Sequence, residues 1–330
     1  MKTVKIKFAG KWEGITPEQN SICYWLKKNG YDVQMTEDAD YVICDVLGKY
    51  HYEYCKHPQI RIFECGENVT PDFNLVDYAI SRYPISFGDR NFYYPGCTMA
   101  GSHWHALAKK DRSNAEALLK EKVYFANLVA GHDSEHNFRR IFFEKLSAYK
   151  RVESAGRLLY NMSDGTQVNW LDDSKTNFQR KCKFTICFES TAHEGFITEK
   201  ITDAFFADTI PIYYGSSSIT EIFNKYAFIN VSDYESFDAV VEKIKELDQD
   251  DEKYLAMLRQ PILVDPDYPR RLDEELEKYI LHIFEQPLEK AWRRCRAYYP
   301  QWQNDFLAST MGFQKRQLLQ KKLKKLLKKG

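Results

Sequence analysis

Apolar and polar positions along the first third of the chain fall into short blocks that change period. Val4-Lys-Ile-Lys-Phe8 alternates as a strand with one buried face does. Glu18 to Asn29 reads as a helix, with Gly30 after its end as a stop signal. Tyr31-Asp-Val-Gln34, Tyr41-Val-Ile-Cys44, Arg61-Ile-Phe-Glu-Cys65 and Tyr78-Ala-Ile80 read as further strands. Strand and helix blocks in alternation argue for an α/β domain built on a mostly parallel sheet.

The pattern changes near residue 120. Ala115 to Lys122 is rich in Glu, Lys, Ala and Leu, and Tyr124-Phe-Ala-Asn-Leu-Val-Ala130 opens a new strand. Phe138 to Tyr149 is a helix whose apolar face is Phe138, Ile141, Phe142 and Leu146. Further on, the strand Lys183-Phe-Thr-Ile-Cys187 leads through a polar loop into the helix Thr198 to Ala207. A return strand, Thr209-Ile-Pro-Ile-Tyr-Tyr214, is closed by Gly215-Ser-Ser-Ser218. This is a β-α-β unit, in which ligands lie outside the carboxyl ends of strands and anions at helix N-termini. Phe228-Ile-Asn-Val231 and an amphipathic helix at Phe237 to Leu247 follow. The expected organisation is an α/β domain over 1–120, a second over 121–295, and a helical basic tail over 296–330.

Composition adds bounds. The chain has 330 residues, enough for two ordinary domains, and its 44% hydrophobic content can fill their cores. The 47 basic and 47 acidic residues cancel, so nothing global points to nucleic acid. The cancellation hides an asymmetry: Gln314 to Gly330 carries eight Lys or Arg and no acid. Leu318, Leu319, Leu323, Leu326 and Leu327 share one side of a helical wheel there, with lysines on the other. That is a basic amphipathic helix, expected to lie on an anionic membrane surface, pack on another helix, or end the chain as a solvated tail. No apolar run reaches transmembrane length. Met1-Lys-Thr-Val-Lys-Ile-Lys-Phe-Ala-Gly lacks the apolar core of a signal peptide. The eight cysteines show no CxxC pair and read as reduced, mostly buried thiols. The expectation is a cytoplasmic protein, at most peripheral on the inner membrane face.

Phe188-Glu-Ser-Thr-Ala-His-Glu-Gly-Phe-Ile-Thr-Glu-Lys200, with Ile210-Pro-Ile212 and Tyr214-Gly-Ser216 downstream, resembles the signature of the bacterial α1,3/4-fucosyltransferases. That signature runs approximately Phe-Glu-Asn-Ser-x-His-x-Asp-Tyr-Ile-Thr-Glu-Lys. Arg61 to Ile80, around Gly66-Glu-Asn68, is similar to the family's acceptor-side region. Arg139-Arg-Ile-Phe-Phe-Glu-Lys-Leu146 is similar to its Arg-bearing helix. The resemblance implies a GT-B fold, two Rossmann-like domains facing a cleft, with the acceptor on the N-terminal domain and GDP-fucose on the C-terminal one. It implies inverting transfer to the 3- or 4-hydroxyl of GlcNAc or Glc in N-acetyllactosamine-type glycans, giving Lewis-type products. No cofactor is implied beyond the donor itself, with a divalent cation allowed only a stimulatory part.

Inverting transfer needs a base for the acceptor hydroxyl and cations for the departing diphosphate. The resemblance makes Glu67 the base, with Glu64 and Asp72 close by in sequence. Lys200, in the first turn of its helix, is the diphosphate cation; alone there, it would oppose the helix dipole. Glu199 would accept from ribose hydroxyls, and Arg139 rather than the adjacent Arg140 would clamp phosphate with its fork of donors. Ser190, His193 and Phe196 fall at donor-contact positions. Ser190, Thr191, Gly195 and Phe196 stand where the family has Asn, Ser, Asp and Tyr, and Phe196 has no hydroxyl to donate. No Asp-x-Asp metal motif occurs in the donor region, since Asp164-Gly165 and Asp172-Asp173 read as turns. His132 and His136 have a spacing that binds metal on a helix, but Gly131 and Asp133 favour a loop. His103-Trp-His105 would line an acceptor cleft or be partly buried. Two alternatives remain: a GT-B transferase using another nucleotide sugar, and a catalytically silent glycan- or nucleotide-binding protein.

Overall fold

The computed structural model describes residues 2–10, 16–45, 53–98, 103–169 and 172–310, so the basic stretch 314–330 lies outside the described residues. The strands are β1 (Lys2–Phe8), β2 (Tyr31–Met35), β3 (Tyr41–Cys44), β4 (Ile60–Glu64), β5 (Tyr78–Ser81), β6 (Asn91–Tyr93), β7 (Tyr124–Leu128), β8 (Val152–Ser154), β9 (Cys182–Phe188), β10 (Ile210–Tyr214) and β11 (Ile229–Asn230). The helices are α1 (Ser21–Lys28), α2 (Trp104–Leu107), α3 (Ala115–Lys120), α4 (Phe138–Tyr149), α5 (Ser174–Arg180), α6 (Glu199–Phe206), α7 (Ile219–Ile222), α8 (Phe237–Gln249), α9 (Asp251–Leu258), α10 (Tyr268–Glu285), α11 (Leu288–Ala291) and α12 (298–310).

The first compact unit holds a parallel sheet in the order β2-β1-β3-β4-β5-β6. Its central strands β3, β4 and β5 are buried on both faces, as a sheet flanked by helices requires, while the edge strands β2 and β6 are not. Tyr41 and Ile43 of β3 with Ile60 and Ile62 of β4 face α1 and α10. The alternate residues Val42, Cys44 and Phe63 pack with Tyr54, Leu75 and Val76, and Leu307 and Ala308 of α12 rest against this second face.

The second unit holds the parallel sheet β11-β10-β9-β7-β8. Phe184, Ile186 and Phe188 of β9 face Phe142 and Leu146 of α4 and Val240 and Ile244 of α8. Cys187, on the opposite face, packs with Ile201, Ala204 and Phe205 of α6. β10 pairs with β9 in parallel from Ile210 opposite Phe184 to Tyr214 opposite Phe188. The β-α-β unit expected from the sequence is therefore β9-α6-β10.

Two expectations change. The helix over 18–29 is interrupted: Pro17–Gln19 is a 3-10 turn, Asn20 is extended, and α1 starts at Ser21. The Asn20 side chain accepts from the Cys23 amide at 3.1 Å, so the residue caps a new helix instead of continuing an old one. The compact units also do not divide near residue 120. The first comprises the chain to Tyr94 and the chain from Leu272 onward, and the second is Pro95–Arg271.

The cause of the return is a stripe on α10, where Leu276, Ile280, Ile283 and Phe284 join the core of the first sheet. Asp77, fully buried before β5, fastens the segment that follows. Its Oδ1 accepts from the Arg293 and Arg294 amides, each at 2.9 Å, and its Oδ2 accepts from the Arg61 amide at 2.8 Å and Arg294 Nε at 2.9 Å. Asp77→Ala strips the buried Arg294 guanidinium of its counter-ion and leaves three amides unpaired. It is expected to cost about 3–5 kcal/mol in urea unfolding; a loss under about 1 kcal/mol would mean that the fastening lies elsewhere.

Candidate functional site

Strand order locates the site before any side chain does. The chain passes from β7 to β8 on one side, then crosses to β9 on the other side of β7. The connections leaving β7 and β9 thus part in opposite directions and open a crevice at their carboxyl ends, the usual ligand position in such sheets. The two loops that rim it are joined. The Glu135 amide donates to the Ser190 carbonyl at 2.8 Å, and Thr191 Oγ1 donates to Glu135 Oε2 at 2.9 Å.

Arg139 enters this crevice from the first turn of α4. It is buried, whereas Arg140 is exposed and faces Asp133 at 3.6 Å. Arg139 Nε and Nη2 both donate to the Phe188 carbonyl, at 3.0 and 2.7 Å, and Nη1 donates to the His132 carbonyl at 2.6 Å. The guanidinium is therefore locked against the end of β9. One N–H on each terminal nitrogen remains unspent among the described residues. Burial pulls the Arg139 pKa below the ordinary range, while Glu189, Asp133 and Glu199 act against that pull.

The centre of the arrangement is Glu189, the first residue after β9 and fully buried. Its carboxylate accepts from the Thr198 amide at 2.7 Å, from Thr198 Oγ1 at 2.7 Å and from Lys200 Nζ at 3.2 Å. Lys200 Nζ also donates to Thr198 Oγ1 at 2.8 Å and stands 3.6 Å from Glu199. The N-cap residue Thr198 is thus held from outside by a buried acid, and the first turn of α6 is pinned with it. Burial works against the Lys200 ammonium, but Glu189 and Glu199 outweigh it and hold its pKa above the ordinary lysine range. Burial likewise opposes the Glu199 carboxylate, yet Lys200 and Lys175 draw its pKa down to about 2. Lys175 is itself paired with Asp203 at 2.6 Å on α6.

Space around Glu189 is closed. A Cβ on Gly215 would stand 2.7 Å from Glu189 Cγ and 2.4 Å from Tyr213 Oη, so only glycine lets the turn after β10 approach. Gly195 adopts φ +78° in the loop over 189–198, a left-handed conformation that favours glycine, and its amide donates to Ser216 Oγ at 2.8 Å. Ser190 and His193 are exposed in that loop, while Phe196 is buried and packs inside it. Arg139, Glu199 and Lys200 are thus brought together around Glu189, a residue to which the sequence reading assigned no role. The available signal was an acid placed directly after an apolar strand.

Glu67 belongs to the first unit, past the carboxyl end of β4. It is exposed, and among the described residues its carboxylate has no hydrogen-bond partner. Its neighbours are committed elsewhere. Glu64 accepts from Asn20 Nδ2 at 2.8 Å and Ser21 Oγ at 2.5 Å, and Asp72 accepts from the Asn74 amide and Gln303 Nε2, each at 2.9 Å. His103 stacks on Phe206 with ring centroids 3.5 Å apart, and Trp104 is core. His136 lies in a 3-10 turn before α4, and His132 contacts Arg157, so the two histidines do not share a helix face.

If Glu189 organises the site, Glu189→Ala should lower stability by about 3–5 kcal/mol, because it leaves the Lys200 ammonium without its buried partner. Urea unfolding measures this, and an unchanged midpoint would show that α6 is anchored by other contacts.

Comparison with known proteins bears on the family and the fold. Residues 119–259 match the family described as "Glycosyltransferase family 10 (fucosyltransferase) C-term", and residues 6–99 match "Alpha-(1,3)-fucosyltransferase FucT N-terminal domain". The alpha-(1,3)-fucosyltransferase FucT of Helicobacter pylori is 30% identical over 322 residues, covering 87% of this chain and 66% of that protein. The human 4-galactosyl-N-acetylglucosaminide 3-alpha-L-fucosyltransferase 9 is 37% identical over 133 residues, covering 39% of this chain and 34% of that one. A crystal structure of an alpha1,3-fucosyltransferase superposes with a TM-score of 0.70 at 26% identity, covering 90% of this chain and 93% of the other. Another, with GDP-fucose, gives 0.66 at 25% identity, covering 85% and 91%. The architecture is a two-domain α/β fold of the GT-B class, and the chain belongs to the fucosyltransferases of glycosyltransferase family 10.

Proposed function

We propose that this chain is a GDP-fucose-dependent α-1,3-fucosyltransferase that acts on the GlcNAc (or reducing-end Glc) of an N-acetyllactosamine-type glycan with inversion at the anomeric carbon. The observation that carries the reading is Lys200, a cation kept in the first turn of α6 by the buried Glu189. A positive side chain there opposes the helix dipole; Glu189 and Glu199 offset that cost within the protein, and an anion at the same helix start offsets it further. The solved relative with GDP-fucose supports the choice of donor.

In this reading Glu67 removes the proton from the acceptor hydroxyl as that oxygen attacks the fucose anomeric carbon. The bond from carbon to the β-phosphate oxygen breaks, and GDP departs with an added negative charge. Lys200 and the two unspent N–H groups of Arg139 meet that charge where it develops. Glu199, ionised at any ordinary pH by its pKa of about 2, accepts from the ribose hydroxyls.

The direct test is incubation with GDP-fucose and an N-acetyllactosamine acceptor, following GDP release and product mass. Turnover with a different nucleotide sugar but none with GDP-fucose would refute the donor. Glu67→Gln should lower kcat by about 10²–10⁴-fold while GDP still binds. Lys200→Ala should weaken GDP binding by about 10–100-fold, as loss of a charged hydrogen bond does, in titrations run where the variant is folded. Activity of Glu67→Gln within a few-fold of the parent, or unaltered GDP affinity of Lys200→Ala, would reassign that residue.

A further inference from the structure

We propose that the first unit carries a second ligand site, for a phosphoryl group, in a cavity at the amino ends of β4 and β5. The cavity has a volume of about 410 Å³, within the range of small-ligand sites. Its walls come from the run before β4, from Asn74 before β5, and from the returning chain around Arg294 and α12. Glu67 follows the opposite, carboxyl end of β4, so this cavity is separate from the proposed acceptor carboxylate.

Charge identifies the occupant. Lys56, Arg61 and Arg294 line the cavity against one lining carboxylate, Asp305. Arg61 is buried, and its guanidinium donates only to uncharged acceptors: the His57 carbonyl at 2.8 and 3.0 Å, the Cys55 carbonyl at 2.9 Å, the Leu75 carbonyl at 2.8 Å and Asn304 Oδ1 at 2.7 Å. Arg294 takes the buried Asp77 as its counter-ion at 2.9 Å and gives Nη2 to the Gln59 carbonyl at 2.6 Å. Its side chain is only 5% exposed, yet Nη1 has no hydrogen-bond partner among the described residues. Of the two buried guanidiniums only that of Arg294 is paired with a carboxylate, and its Nη1 is left over in the cavity wall beside the Trp292 ring. Burial draws both pKa values down, Arg294 to about 10, which is the direction expected of cations short of counter-charge. A tetrahedral oxyanion supplies that counter-charge and accepts from Nη1 and from Lys56 at the rim.

Two sources present the same group. One is a soluble phosphate ester. The other is a lipid headgroup, since α12 exposes Tyr298, Tyr299, Trp302 and Phe306 beside the lining residues Pro300 and Gln301.

Cys295 lines the cavity and is exposed, whereas the other seven cysteines are buried, so one thiol reports on occupancy. Alkylation of the full chain by a neutral reagent is followed by intact mass, in inorganic phosphate against sodium chloride of equal ionic strength. A parallel arm compares phosphatidylglycerol vesicles with phosphatidylcholine vesicles. Occupancy should slow Cys295 alkylation by about threefold or more in at least one arm, and Lys56→Glu should remove that protection. Protection by phosphate assigns a soluble ester, and protection by phosphatidylglycerol alone assigns a headgroup. No protection in either arm, or protection that survives Lys56→Glu, overturns the proposal. The readout uses neither GDP nor turnover, so its failure and that of the fucosyl-transfer reading are separable.

Discussion

The ion pair between buried Glu189 and Lys200 is the constraint on which the second unit's chemistry rests. A carboxylate with no exposure is tolerated only when its oxygens are filled, and here an amide, a hydroxyl and an ammonium fill them. Those three donors come from the start of α6. The electrostatic need of one acid therefore fixes where a helix begins and where its cation stands. Gly215 approaches that acid so closely that a Cβ there would stand 2.7 Å from Glu189 Cγ.

The first unit solves a comparable problem with a different residue. Asp77 gathers amides from β4 and from the Arg293–Arg294 turn, together with the Arg294 guanidinium. It joins chain segments more than two hundred residues apart in sequence into one core. In both units a single buried carboxylate sits where two stretches of chain meet, close in sequence for Glu189 and distant for Asp77. Hydrophobic stripes bring the stretches together, and the acid sets the register, because its hydrogen bonds have direction and apolar contacts do not.

Local periodicity made much of this legible. The run of β9, α6 and β10 could be read because each apolar block has the length and period of its element, with Pro211 and Gly215 at tolerable positions. The break at Asn20 could not be read from periodicity, since a capping side chain and a helical one look alike until the Cys23 amide is placed. The return of the chain after Arg271 was also hidden. The stripe on α10 declares an amphipathic helix but not which sheet it covers. Glu189 stood in plain view after a strand, yet its role depends on Thr198, Lys200 and Gly215, which only the parallel pairing of β9 with β10 brings round it. The departures from the family pattern divide the same way. Gly195 is explained by its positive φ and Phe196 by its burial, both invisible in one dimension.

The cluster around Glu189 is close to electroneutral: Arg139, Lys175 and Lys200 face Glu189, Glu199 and Asp203. A neutral cluster could be taken as an argument against an anion site, but the distribution of bonds argues otherwise. The acids are turned to structural work: Glu189 holds the helix start and Asp203 holds Lys175. Arg139 keeps unspent donors among the described residues, one N–H on each terminal nitrogen, while Lys200 is held by Glu189, Thr198 and Glu199. Each donor is fixed by bonds that need not break when a ligand arrives. Preorganised donors of this kind stabilise charge without reorganising at the moment it develops. A net positive cluster would bind nucleotide more tightly before and after reaction alike, whereas in the proposed reaction fixed donors in a balanced site would favour the added charge of the departing diphosphate over both.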